Sequence, residues 1–396
     1  MKESDDLKSA AVIAEFNPFH NGHKHLVDEI KSKGFDSVAA IISGSFVQRG
    51  DIALLSKFDR AEMALACGVD LVVELPVHWA ISTANNFAYG GVNIAKNLAV
   101  DALAFGSECG DLSVLEDTAV MIEDDNIKEY LRSNLKEGIS FAAARQQAIE
   151  RVFGTNRALQ NPNDTLGIEY IASANRLDFH PEYIVIQREG PEHDSEEYLD
   201  TYASASSLRS LVIKGRSEQA MQYIPECCQE ILRNCIEQEK IAEITRLETA
   251  ILAKLRTMSL DEFRALPDIS EGLDNRIYLL SRTATSLEQL YFSIKTKRYP
   301  LARIRRIVLS AFLGIDNTYF GKEPEYIRVL AANSKGLEML NKARANSELP
   351  IIMRTSELKG NPIFACECNA TDLFGLACNN PLPCASDFTQ GIIKKD

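Results

Sequence analysis

Over its first two hundred residues the chain alternates short apolar runs with stretches of helical periodicity. Residues 11–15, 37–42, 71–75, 101–105 and 183–187 are rich in Val, Ile, Leu and Ala with little polar alternation, the pattern of strands buried on both faces of a parallel sheet. The first four runs start at 11, 37, 71 and 101, spacings of about one βαβ unit. The pattern predicts an α/β fold with a Rossmann-like parallel sheet. After about Gly215 the strand-like runs stop, and residues 218–238, 240–258, 259–265 and 275–294 carry helical periodicity. Two regions are therefore expected, 1–215 around the sheet and 216–396 mainly helical, without internal repeats.

In such sheets ligands bind beyond the carboxyl ends of the strands, so the residues after each run are where chemistry is sought. The first run leads into AVIAEFNPFHNGHKHL, with His20 and His23 three residues apart. A strand, a turn and then a helix would place both imidazoles on the helix's first turn. Unpaired N–H groups and a partial positive charge there favour a phosphate, and Gly22 leaves the backbone open to close approach. A bare H-x-x-H also suits a metal pair or two solvated histidines. The second run ends in Ser43-Gly44-Ser45-Phe46-Val47-Gln48-Arg49-Gly50, the third in Glu74-Leu75-Pro76, and the fourth in Gly106-Ser107-Glu108. One Gly-Ser tip is ordinary turn chemistry; two beside a histidine cluster point to a nucleotide cradle, with Gly106 letting the backbone approach an adenine or ribose. Arg49 is the best-placed cation for phosphates. Lys57 and Arg60 lie in a helical pattern, where a solvated face is the default.

Further on, Gln160-Asn161-Pro162-Asn163-Asp164 reads as a turn and an N-cap, with capping alone expected of Asn161 and Asp164. Arg188-Glu189-Gly190 forms another charged strand tip. Tyr202-Ala203-Ser204-Ala205-Ser206-Ser207-Leu208-Arg209 opens a helix with hydroxyls and an arginine, again suited to phosphate. In the second region, residues 291–307 carry six Lys or Arg and no acid: Lys295, Lys297, Arg298, Arg303, Arg305 and Arg306. Tyr291 and Tyr299 lie among them, and Pro300 interrupts the helix. A positive block with interleaved aromatics is a candidate RNA surface, notable in a chain whose formal net charge of −13 argues against a generic polyanion binder.

Composition narrows the class. With 396 residues, 45% hydrophobic and 25% charged, the chain is expected to be an ordinary globular protein of two or three domains. Asp5 and Asp6 near the start, without an apolar run, argue against a secretory signal, and no run approaches the length of a membrane span. Nine cysteines are then expected to be reduced thiols in a cytoplasmic protein. Cys366, Cys368, Cys378 and Cys384 lack the usual spacing of zinc ligands, so they are expected to be buried or partly buried thiols and no metal site is predicted. Residues 371–376 are expected to form a short helix or turn docked on the core.

The strand–NPFHNGH–helix context resembles the signature of the HIGH-type nucleotidyltransferase superfamily, and residues 205–209 resemble its second, triphosphate-binding signature, with Ala205 at the first serine position. Further motifs follow in order: SGSFVQRG from Ser43, DLVVELP from Asp70, Phe105-Gly106-Ser107-Glu108, Pro162-Asn163 with LGIEY from Leu166, QREG from Gln187, and Lys297-Arg298-Tyr299. Together they resemble the bacterial tRNA(Met) cytidine acetate ligase family over most of the chain. Phe16 and Ser45 stand where that family is expected to carry Tyr and Asn. The family is reported to use ATP to join acetate to the N4 amine of the wobble cytidine of elongator tRNA(Met). The resemblance implies a HIGH-type catalytic domain over 1–215 and a tRNA-binding region over 216–396. It implies ATP contacts along Val12, Ile13, Ala14, Glu15, Phe16, Asn17, Pro18, Phe19, His20, Asn21, Gly22, His23, Lys24 and His25, and at Gly106, Asn163, Arg188 and Arg209. His20 and His23 are then the catalytic pair, acting on ATP with Mg²⁺ on its phosphates. The alternative is a nucleotidyltransferase that adenylylates a small phosphorylated metabolite, which would need only the first region.

Overall fold

The computed structural model describes residues 7–395 except 138, 155–158, 160, 189–202, 271 and 322. Asp5, Asp6, Gln160, Glu189, Gly190 and Tyr202, named above, lie outside the described residues. In chain order the strands are β1 (Ser9–Ala14), β2 (Ser37–Ser43), β3 (Phe46–Val47), β4 (Asp51–Ile52), β5 (Leu71–Leu75), β6 (Ala102–Ser107), β7 (Glu182–Gln187), β8 (Ile327–Ala332), β9 (Ile351–Ile352) and β10 (Ile393–Lys394). One sheet runs β10-β8-β5-β2-β1-β6-β7, with β9 also paired to β8. β7, β6, β1, β2 and β5 are mutually parallel. Strands grow outward on both sides of β1, so the order reverses between β1 and β6, where a crevice opens at the carboxyl ends.

The apolar runs form strands because both faces are covered. Ala10 and Val12 pack with Val38, Ala40 and Ile42 on one face, while Ala11 packs with Ala39, Ile41, Leu71 and Val73 on the other. This two-residue alternation leaves no polar side and accounts for the unbroken hydrophobicity of the sequence. The second region has its own core, in which Leu252, Leu255, Ile277, Leu290, Ile304 and Val308 meet Phe46, Val47 and Ile52 of the β3–β4 hairpin.

Strands do not stop at Gly215. β8 returns from the second region and pairs antiparallel with β5, and β9 and β10 pair with β8. In IRVLAA the apolar run is interrupted by Arg328, which masks the strand in sequence; in the fold that arginine is buried and neutralised by Glu74 and Asp387. The long helical runs of the second region are also subdivided. Pro225 separates helices Ser217–Met221 and Glu226–Glu237, and the run at 275–294 is divided between Leu273–Ser281 and Leu287–Ile294. The expected short element at 371–376 is the end of a longer helix, Pro362–Leu376. Cys384 is exposed, not buried. No helix among the described residues is long and apolar enough to cross a membrane.

Lys57 and Arg60 occupy neither a solvated face nor a phosphate site; both are fully buried. Arg60 clamps the strand ends, donating to the carbonyls of Glu15 (2.6 Å), Ser43 (3.0 Å), Leu55 (3.2 Å) and Gly44. Lys57 joins a buried cluster, with Nζ 2.6 Å from Glu74, 2.8 Å from Asp387 and 3.3 Å from Glu367. Arg328 reaches Glu74 at 2.9 Å and Asp387 at 2.5 Å. A side chain at Gly44 would collide with this cluster, since its Cβ would lie 2.5 Å from Glu367 Oε1.

Candidate active site

A cleft of about 470 Å³ opens at the carboxyl ends of β1, β6 and β7. Ile13, Ala14 and Glu15 supply one wall, Ala104, Phe105 and Gly106 the next, and Ile186, Gln187 and Arg188 the third. His20, Gly22, His23 and His25 close it from the helix Asn21–Ser32, and Asn161, Pro162 and Asn163 from the start of the helix Pro162–Arg176.

The histidine pair is built by the helix terminus itself. His20 is the N-cap, and its Nδ1 accepts the Gly22 N–H at 3.1 Å. His23, three residues on, accepts the His20 N–H on its own Nδ1 at 3.3 Å. The two imidazoles thus form a reciprocal capping box, a role usually filled by Ser or Thr with Glu or Gln. Their rings stack with centroids 3.8 Å apart, and Phe16 and Phe19 support His23 at 4.9 and 5.4 Å. With both Nδ1 atoms accepting, the proton of each neutral ring sits on Nε2. Burial, with Arg188 and Arg209 nearby, lowers the His20 pKa to about 3. His20 is therefore neutral at physiological pH and a hydrogen-bond donor through Nε2. Gly22 is required for this geometry: a Cβ there would lie 3.0 Å from the His20 ring. The side of Gly22 that a Cβ would occupy faces the His20 ring, while Gly22 itself lines the cleft.

The turn that presents the pair is fixed from behind. Asn17 is buried, its Oδ1 accepts the Leu54 N–H at 2.8 Å, and its carbonyl accepts Arg209 Nη1 at 2.9 Å. Glu15 accepts the Gln48 N–H at 2.9 Å. Burial raises the Glu15 pKa, an effect opposed by Arg209, the Gln48 hydrogen bond and the Arg49 and Arg60 charges.

On the opposite wall two carboxylates cross between elements. Asp164, fully buried, accepts Ser107 Oγ at 2.5 Å and the backbone N–H groups of Glu108 (2.8 Å) and Cys109 (3.2 Å). Glu108 in return accepts the Asp164 N–H at 3.0 Å and the Asn163 side-chain amide. Capping alone does not describe these residues. Asn161 makes no capping bond and instead donates to Asp164 Oδ2 at 2.9 Å, and the helix is capped by Glu108 from the β6 tip. This reciprocal latch holds Asn163 at the cleft. Gly106 makes room for Arg188, whose Cγ would lie 3.2 Å from an added Cβ. The expected approach of a ligand to the Gly106 backbone is thus shared with the Arg188 stem. Burial lowers the Arg188 pKa, opposed by Glu108.

The anticipated ATP residues therefore fall into three sets. Ile13, Ala14, Glu15, His20, Gly22, His23, His25, Gly106, Asn163 and Arg188 line the cleft, together with Arg49. Val12, Phe16, Asn17, Pro18 and Phe19 are buried beneath it. Asn21 ties the helix start to Tyr223 O (2.9 Å) and Gln222 O (3.3 Å), Lys24 pairs with Asp28, and Arg209 braces the turn through Asn17. Phe87, Leu166, Tyr170 and Ala203 also line the cleft; as apolar positions they carry no signal that separates cleft from core.

The basic block divides as well. Lys295 and Lys297 are exposed, and Arg298 is half-buried with Nη2 donating to Leu135 O at 3.2 Å. Arg303 and Arg306 both pair with Asp268, at 3.1 and 3.5 Å. Arg305 sits 5.7 Å from the Tyr291 ring centroid. Arg306 also donates to Gln48 O at 3.4 Å, and a Cβ on Gly50 (φ 75°) would strike Arg305 and Arg306. The loop carrying Arg49 is thus packed directly on the helix Leu301–Leu313.

Comparison with known proteins agrees with this geometry. The sequence model of the HIGH Nucleotidyl Transferase family matches residues 7–387. A Thermoanaerobacter sp. (strain X514) protein named tRNA(Met) cytidine acetate ligase is 38% identical over 398 residues, covering 97% of this chain and 98% of its own. A protein of the same name from Caldanaerobacter subterraneus subsp. tengcongensis is 37% identical, covering 98% and 100%. The crystal structure of apo Thermotoga maritima TmcAL superposes with a TM-score of 0.92 at 31% identity over 98% of this chain and 99% of that one. The same protein bound with alpha-thio ATP gives 0.90. The chain belongs to the HIGH nucleotidyl transferase family and, within it, to the family of the tRNA(Met) cytidine acetate ligases.

Proposed function

We propose that this protein is an ATP-dependent ligase that activates acetate as acetyl-adenylate and transfers the acetyl group to N4 of the wobble cytidine of elongator tRNA(Met). The observation that carries the reading is the stacked His20–His23 pair at a helix terminus, in a cleft that Arg49 and Arg188 also line. A carboxylate oxygen of acetate attacks the α-phosphorus of ATP, the α–β bridging bond breaks, and pyrophosphate leaves. Little covalent help is needed; the site positions the reactants and neutralises charge on the phosphate oxygens. Nε2–H of His20 and His23 donates to those oxygens without competing for the proton, and Arg188 and Arg49 supply formal charge. The N4 amine of cytidine then attacks the acyl carbon, the acyl–phosphate bond breaks, AMP leaves and the amine loses a proton.

The lining fits Mg²⁺ carried by the phosphate oxygens and not one held by the protein. Among the described lining residues Glu15 is the only carboxylate, and it accepts a backbone N–H. Such an ion would add charge neutralisation on the phosphates. The cytidine must be splayed from its loop to reach the cleft, and the exposed Lys295 and Lys297, with the half-buried Arg298 and Arg305, supply phosphate contacts for the tRNA. Arg303 and Arg306 contribute mainly by holding that surface against the Arg49 loop.

Incubation with ATP, labelled acetate and elongator tRNA(Met) tests the reading. Label is expected in the tRNA only when ATP is present; tRNA that stays unlabelled with folded protein contradicts it. Replacing Lys295, Lys297 and Arg298 together by Gln is expected to weaken tRNA binding and flatten its dependence on salt. Unchanged affinity would remove the block from the tRNA surface.

A further inference from the structure

Away from the cleft, three thiols from distant parts of the chain converge. Cys67 is the C-cap of the helix Lys57–Ala66, and Cys227 and Cys228 lie in the first turn of the helix Glu226–Glu237. Cys67 Sγ is 2.7 Å from Cys227 Sγ and 3.1 Å from Cys228 Sγ, and all three sulfurs lie within 4.8 Å of one another. Cys67 and Cys228 are buried, whereas Cys227 is exposed. We propose that Cys67, Cys227 and Cys228 form a three-thiolate site for a thiophilic divalent metal ion, with zinc the representative, whose fourth position is open to water on the Cys227 side.

Two features argue for an ion. Three sulfurs meet where a disulfide uses only two, Cys228 lying 3.1 Å from Cys67 beside Cys227 at 2.7 Å. The arrangement also needs little rearrangement. Zinc at about 2.3 Å from each sulfur sets tetrahedral sulfur–sulfur separations of about 3.8 Å, so the cluster opens by about an ångström, with Cys227 on the rim able to move. The cysteines at 366–384, whose spacing does not suit zinc, are not part of this site. Its halves are separated by 160 residues, so no local cysteine spacing reveals it. An ion here would fasten the far end of the helix that carries Lys57 and Arg60 to the first helices of the second region.

The test is titration of the reduced, metal-free full chain with Cd²⁺ and with Zn²⁺. One equivalent of Cd²⁺ is expected to produce sulfur-to-metal charge-transfer absorption, and Zn²⁺ to displace it. The absorption should be lost in Cys227→Ser, whose exposed position leaves folding intact by circular dichroism, and kept in Cys109→Ser/Cys384→Ser. Zn²⁺ should raise the melting temperature of the wild type but not of Cys227→Ser. Absence of stoichiometric absorption, or its persistence in Cys227→Ser, overturns the site. So does a reduced protein that binds no ion but forms a Cys67–Cys227 disulfide with peroxide.

Discussion

Two clusters of charge lie at the carboxyl ends of the same sheet and do opposite things. At the tip of β5, Lys57 and Arg328 are enclosed by Glu74, Glu367 and Asp387, and all five are buried. At the tips of β1, β6 and β7, Arg49 and Arg188 line a cleft in which Glu15 is the only carboxylate among the described lining residues. In the first the protein supplies its own counter-charges, and the product is structure. In the second the cations and the imidazole N–H donors outnumber the acids, and the deficit matches the phosphates of ATP. Basic residues near a strand tip therefore mark a ligand site only where the fold has not already neutralised them, and this distinction demotes Lys57 and Arg60 while retaining Arg49 and Arg188.

The comparison can be broken most forcefully at Lys57. Lys57→Met removes one of the two buried cations and leaves Arg328 alone among Glu74, Glu367 and Asp387, and is expected to lower unfolding stability by about 3–5 kcal/mol, read from urea denaturation. ATP affinity of the remaining folded protein should be unchanged, and a selective loss of ATP binding would place Lys57 in the nucleotide site after all. A smaller effect is expected across the cleft. Glu108→Gln keeps an acceptor but loses the charge that caps the helix at Asn163, costing about 1–2 kcal/mol, seen as a roughly tenfold weaker ATP affinity. If only global stability changes, the latch is structural and does not shape the site.

The mildest test uses pH. Burial, with Glu74 beside it, pushes Glu367 up from 4.5 to about 8. For Asp387, burial is outweighed by Lys57 and Arg328, which hold it down to about 2. Between pH 4.5 and 8 the folded state binds more protons than the unfolded one at Glu367, so its contribution to stability falls as pH rises through that window. Asp387 contributes in the opposite sense, with stability present above about pH 4 and lost as pH falls towards 2. The urea midpoint should therefore decline from pH 5 to 8 in the wild type and decline less in Glu367→Gln. Equal slopes would remove the protonated carboxyl from the cluster.

Much of this was legible in the sequence because it rests on local patterns. The strands at β1, β2, β5, β6 and β7 are continuous apolar runs, and the H-N-G-H turn places its histidines through three-residue spacing alone. What escaped depends on partners far apart in the chain. β8 was hidden by Arg328, whose neutralising carboxylates are 254 and 59 residues away. The Glu108–Asp164 latch joins residues 56 apart, so each read as an isolated turn residue. Arg303 and Arg306 read as open charge because Asp268, some 35 residues earlier, is invisible as their partner in one dimension. His20 and His23 read as phosphate ligands, but their use of Nδ1 as mutual caps, which fixes the proton on Nε2, follows only from the coordinates.

The central claim is that His20 and His23 stabilise adenylate formation from acetate and ATP. It is tested most directly by acetate-dependent exchange of labelled pyrophosphate into ATP, without tRNA, in the wild type and in His20→Ala and His23→Ala. Exchange should require acetate and fall by about 10²–10³ in each variant, with folding preserved by circular dichroism. Exchange at the wild-type rate in His23→Ala would contradict the account.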